Sequence, residues 1–124
     1  MHNNKTQFIL NQLYRLNPPG RIELTLDRIK RLLKDLGNPE KKLKNVIIVG
    51  GTNGKGSTIE FLRSILSENN YSVNVYTSPH VLSFNERINF NGKYITDKQF
   101  EEYVIKIDKA NRGTVSYTHL RAHE

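Results

Sequence analysis

The stretch Val46-Ile47-Ile48-Val49-Gly50-Gly51-Thr52-Asn53-Gly54-Lys55-Gly56-Ser57-Thr58 decides how this chain is read. Its first four residues are β-branched and do not alternate with polar ones, which predicts a strand covered on both faces, as inside a parallel sheet. Four of the eight glycines, Gly50, Gly51, Gly54 and Gly56, follow at once. Ile59, Leu62, Ile65 and Leu66 then recur at helical spacing. A strand that turns through glycines into a helix presents backbone N–H groups beside the positive end of the helix dipole, an arrangement suited to phosphate. Lys55 adds a mobile cation. In the strict P-loop, G-x-x-x-x-G-K-S/T, the hydroxyl follows the lysine directly and holds magnesium. Here Gly56 intervenes before Ser57, and one residue of offset turns a helical side chain by roughly 100°, so that rule alone does not assign Ser57 to the metal. The alternative is an ordinary glycine-rich turn. Against it stand the lysine, the two hydroxyls of Ser57 and Thr58, and the strand–loop–helix context.

Downstream, Tyr71-Ser72-Val73-Asn74-Val75-Tyr76-Thr77 returns to β-rich character. Strand, helix and strand in about thirty residues fit one right-handed βαβ crossover. Thr77-Ser78-Pro79-His80 lies at the carboxyl end of the second strand, the edge where open α/β sheets bind ligands. Ser78 and His80 in isolation read as turn residues, since a hydroxyl before proline often just starts a turn; their position aims them at the phosphate loop. Asn91-Gly92, between Arg87–Phe90 and Lys93–Ile95, predicts a tight hairpin. Thr96 with Gln99 predicts a helix start, continued by Phe100, Tyr103, Val104 and Ile107.

Upstream, Phe8, Leu10, Leu13, Tyr14 and Leu16 predict a short helix ended by Pro18-Pro19-Gly20. Ile22, Leu26, Ile29, Leu33 and Leu36 predict an amphipathic helix closed by Gly37 and Pro39. The fold class expected is α/β, a P-loop-type parallel sheet with flanking helices.

At 124 residues and 14.4 kDa the chain is at most one domain. Leu, Ile, Val and Phe supply 36 of the residues, enough to exclude global disorder. With no cysteine there is no disulfide framework, thiolate zinc site or cysteine nucleophile. The longest aliphatic run is Val46–Val49 and the start, Met-His-Asn-Asn-Lys, leads into no apolar h-region, so a soluble cytoplasmic chain without a membrane role is expected. The net charge is +7. Residues 21–44 carry eight basic and four acidic side chains between apolar residues at helical spacing, which predicts a solvated helix face rather than a nucleic-acid footprint. No aromatic-rich stacking strand supports nucleic-acid binding. His2, His119 and His123 lie near the termini and carry no assigned role.

Three motifs in order, Gly51-Thr52-Asn53-Gly54-Lys55-Gly56-Ser57-Thr58, Thr77-Ser78-Pro79-His80 and Phe84-Asn85-Glu86-Arg87-Ile88, resemble the amino-terminal part of folylpolyglutamate and dihydrofolate synthases, members of the Mur ligase superfamily. The glycine after the lysine is part of that resemblance. Arg28-Ile29-Lys30-Arg31-Leu32-Leu33 and Leu36-Gly37-Asn38-Pro39 are similar to the family's lead-in helix and turn, with one departure at Thr25, where the family usually has glycine. The resemblance covers about residues 8–110. It implies an ATP- and magnesium-dependent ligase in which the γ-phosphoryl group activates a carboxylate of dihydropteroate or a folate and the amino group of L-glutamate attacks the acyl phosphate. It further implies that Gly51, Thr52, Asn53, Gly54, Lys55, Gly56, Ser57 and Thr58 bind ATP, with Lys55 catalytic, that Ser78 is a magnesium ligand, and that the full-length enzyme is a monomer. Rival readings are another Mur-type amino-acid ligase, or a non-catalytic basic module for phosphate or nucleic acid. Family members are several times longer, so residues 1–112 are expected to be a partial ATP-binding domain, inactive alone. Residues 113–124 do not continue the family pattern and are expected to be a non-native tail.

Overall fold

The computed structural model describes residues 2–16 and 26–111. They form α1 (Asn4–Leu16), α2 (Asp27–Asp35), α3 (Lys55–Glu68), β1 (Asn74–Tyr76), β2 (Ile88–Phe90), β3 (Lys93–Tyr94) and α4 (Asp97–Ala110), with 3₁₀ turns at Pro39–Lys42 and Phe84–Arg87. The chain divides into two units, Met1–Lys44 with Asp97–Glu124, and Asn45–Thr96. The expected Pro18-Pro19-Gly20 stop, Ile22, Thr25 and the tail at 113–124 lie outside the described residues.

The first unit is helical. The Asn3 side chain accepts the Thr6 N–H at 2.7 Å, taking one of the donors that a helix start leaves without an intrahelical partner. At the end of α2, Asn38 N–H reaches Leu33 O at 2.7 Å and Gly37 N–H reaches Lys34 O at 3.0 Å. This paired closure is available because Gly37 takes a φ of 82°. α1 packs on α4, with Ile9, Leu10 and Phe100 buried. Polar bonds fix the pairing: Thr6, itself fully buried, donates to Glu101 Oε1 at 2.7 Å, and Asp97 accepts the Asn3 N–H at 2.8 Å and bonds His2 Nδ1 at 3.1 Å. Arg31 donates to Asn111 Oδ1 at 3.1 Å, tying α2 to the end of α4.

In the second unit the hairpin forms where Asn91-Gly92 predicts it. Both residues take positive φ, 49° and 92°, as a tight two-residue turn demands. β2 pairs antiparallel with β3 through Phe90↔Lys93 and with β1 through Asn74↔Phe90, Val75↔Asn89 and Tyr76↔Ile88. The sheet order is β1-β2-β3.

Two expectations are corrected here. Residues 46–49 form no strand, and all pairing among the described residues is antiparallel, so the parallel βαβ sheet is not formed. A strand is a cooperative object: its amides and carbonyls need a neighbouring backbone, and an inner strand needs both edges and both faces occupied. Here Val46, Ile47 and Ile48 are 63%, 61% and 89% exposed, and no residue of α3 is buried. β1 instead uses the nearby 88–90 segment, whose closure spans a short loop and carries little entropy penalty.

Candidate nucleotide-binding site

The glycine loop and the first turn of α3 form one local structure. Gly54 caps the helix with φ 77° and ψ 1°, in the left-handed region that only glycine enters freely. Its carbonyl accepts twice from Thr58, from the N–H at 3.0 Å and from the hydroxyl at 2.9 Å, which locks the junction of loop and helix. Lys55, the first helical residue, folds back: its Nζ donates to Gly51 O, and to Thr52 O at 3.3 Å. The cation thus closes the loop from Gly51 to Lys55 on itself.

What this turn leaves open defines its chemistry. The N–H groups of Lys55, Gly56 and Ser57 make no hydrogen bond among the described residues, as expected for the first turn of a helix. They lie at the positive end of the helix dipole, next to the loop that the Lys55 ammonium closes. Thr52, Asn53 and Ser57 are exposed, and the Ser57 hydroxyl also lacks a partner among the described residues, whereas that of Thr58 is engaged by Gly54. Gly56 has no positive φ, and a Cβ built on it would meet nothing within 4 Å. The folded chain itself therefore gives no steric reason for glycine there. Among the described residues no three His, Asp or Glu side chains gather to hold a metal.

The second predicted segment is organised by residues that follow it. Thr77 N–H donates to Arg87 O at 2.9 Å, extending the β1–β2 pairing by one step. Ser78 comes next, exposed and with its hydroxyl unbonded among the described residues. His80 Nδ1 accepts from Arg87 Nε at 2.8 Å. The Phe84 ring lies edge-on to His80, with centroids 5.9 Å apart, and the Arg87 guanidinium sits 5.3 Å from the same ring. Glu86 then gathers three successive amides, those of Val81, Leu82 and Ser83, at 3.0, 2.9 and 2.8 Å. These bonds, Val81 first, hold the Glu86 carboxyl below its ordinary range. No hydrogen bond among the described residues joins 51–58 to 77–80.

The sequence pattern by itself assigns no task to Phe84-Asn85-Glu86-Arg87. A signal was present: Ser83 and Glu86 have the spacing of a capping box, and the structure forms it. The Arg87–His80 bond had no such spacing signal.

No family model matches the sequence. The chain is 49% identical over 79 residues to the dihydrofolate synthase/folylpolyglutamate synthase of Bacillus subtilis, covering 64% of this chain and 18% of that protein. Among solved structures, the folylpolyglutamate synthetase of Lactobacillus casei superposes with a TM-score of 0.74 at 31% identity, covering 95% of this chain and 29% of that one. Escherichia coli FolC, solved in complex with ADP, superposes with a TM-score of 0.66 at 31% identity, over 93% of this chain and 28% of that one. The chain therefore spans less than a third of the length of these relatives. With the glycine loop, the Ser78 segment and the residues that brace it all present in order, the chain belongs to the folylpolyglutamate synthase/dihydrofolate synthase family, of which it carries a part.

Proposed function

We propose that this chain supplies the phosphate-binding part of an ATP-dependent ligase that joins L-glutamate to a pteroate or folate carboxylate. The observation that carries the proposal is the turn at 54–57: three unbonded amides, a helix N-terminus and a lysine at one point. Gly56 supports it further, because a residue with open space above it and no conformational need for glycine fits a site that something else must approach closely. Escherichia coli FolC carries ADP.

In this reading the amides of Lys55, Gly56 and Ser57 receive the β- and γ-phosphates, and Lys55 exchanges its carbonyl partners at Gly51 and Thr52 for phosphate oxygens. Thr52, Asn53 and Thr58 shape the loop. The γ-phosphoryl group passes to the substrate carboxylate, ADP leaves, and the amine of glutamate displaces phosphate from the acyl carbon as the amide forms. Such chemistry rests on positioning and charge stabilisation. Magnesium suits the donors present: it takes one or two protein oxygens and completes its shell with phosphates and water, and the free, exposed hydroxyls of Ser78 and Ser57 are oxygens of that kind. When bound, the ion offsets negative charge on the phosphates. Residues 46–49 become an inner strand of a parallel sheet in the longer protein, where further strands cover the apolar surface exposed here. The full-length enzyme acts as a cytoplasmic monomer, and residues 113–124 have no part in the site.

Lys55→Ala in the full-length enzyme tests this reading. Glutamate-dependent ATP hydrolysis is expected to be abolished, because Lys55 is the cation placed at the phosphate turn; unchanged turnover refutes the site.

A further inference from the structure

Ser78 is flanked on both sides by one residue. The carbonyl of Arg87 takes the Thr77 N–H at 2.9 Å, and its Nε donates to His80 Nδ1 at 2.8 Å. The serine between them is thus suspended from Arg87 by a backbone bond before it and a side-chain bond after it. Phe84 packs against both the His80 ring and the Arg87 guanidinium, and Glu86 fixes the next three amides. With Nδ1 accepting, a neutral His80 carries its proton on Nε2, so neither ring nitrogen offers a free lone pair to a metal in this geometry.

We infer that Arg87, His80 and Glu86 are positioning residues that hold the Ser78 hydroxyl in place for the metal, with His80 acting as an acceptor for Arg87 rather than as a ligand. The inference rests on the reading of Ser78 as a magnesium ligand. Partners that orient a metal ligand typically alter metal affinity by about 10–100-fold when removed, so the lower end is expected for this exposed segment.

The experiment measures the magnesium concentration for half-maximal turnover in the full-length ligase at fixed ATP, with the magnesium dissociation constant of the ADP-bound enzyme from calorimetry as a second readout that needs no turnover, for Ser78→Ala, Arg87→Ala, His80→Ala, His80→Asn and the Ser78→Ala/Arg87→Ala double variant. Arg87→Ala and His80→Ala are expected to raise it about tenfold, with turnover recovered in excess magnesium and the KM for glutamate unchanged. A variant that is merely unstable does not recover in this way. His80→Asn keeps an acceptor near the position of Nδ1 and is expected to stay close to wild type, and the double variant to add nothing to Ser78→Ala. If Ser78→Ala shifts the requirement while Arg87→Ala and His80→Ala do not, the positioning role is overturned and the metal reading stands. An unshifted Ser78→Ala overturns both. Should Arg87→Ala fold poorly, the two His80 variants decide: His80→Asn no better than His80→Ala refutes the acceptor role.

Discussion

Adding one methyl group to the loop should have opposite effects at two glycines only two residues apart. Gly54 sits at φ 77°, and a Cβ there would touch nothing within 4 Å. The effect of Gly54→Ala is therefore conformational alone, about 1–2 kcal/mol for an L-residue in the left-handed region. That is a factor of roughly 5–30 in the equilibrium between the closed and open turn. Gly56 lies within α3, has no positive φ, and also has open space around it. Gly56→Ala should firm the helix by up to about 0.5 kcal/mol, the lower end of the difference between the two residues in mid-helix, because Gly56 lies in the first turn. Native-state amide exchange at Thr58, whose N–H and hydroxyl both bond Gly54 O, reads the change directly: faster exchange in Gly54→Ala, slower in Gly56→Ala. If phosphate approaches Gly56 as proposed, the second variant should nevertheless lose ADP affinity in the full-length enzyme while its helix becomes more stable. Equal exchange rates in the two variants, or faster exchange in Gly56→Ala than in Gly54→Ala, would refute the conformational reasoning.

Three further outcomes are expected. The Glu86 carboxyl is depressed below its ordinary value of 4.5 by the amides of Val81, Ser83 and Leu82. Its ordering of that loop should therefore be complete above pH 4.5 and fail as the pH falls through the lower folded value; amide chemical shifts of 81–83 that change with a midpoint at or above 4.5 contradict this. Ile9→Ala, at a site 1% exposed between α1 and its neighbours, should destabilise the helical unit by about 2–5 kcal/mol, seen as a lower urea midpoint. The 124-residue chain alone should show no ligase activity and weak nucleotide affinity, and formation of folylpolyglutamate by the purified chain would overturn that expectation.

Local interactions were legible in the sequence. The apolar spacing of α2, α3 and α4 specifies helices because residues three and four apart share a face whatever surrounds them, and Gly37 and Asn91-Gly92 mark turns because few residues tolerate their φ. The same holds for the glycine loop, whose composition already implied free amides at a helix start. Residues 46–49 form no strand here for the opposite reason: their β-branched side chains state a preference, but a strand exists only when another backbone completes its hydrogen bonds, and none of the described residues does so. The fold-back of Lys55 onto Gly51 and Thr52, and the suspension of Ser78 from Arg87 through His80, likewise depend on where side chains meet after the chain has turned. Sequence alone singled out the residues proposed to carry the chemistry; only the tertiary structure decided which of them are free to meet a ligand and which are held by a neighbour.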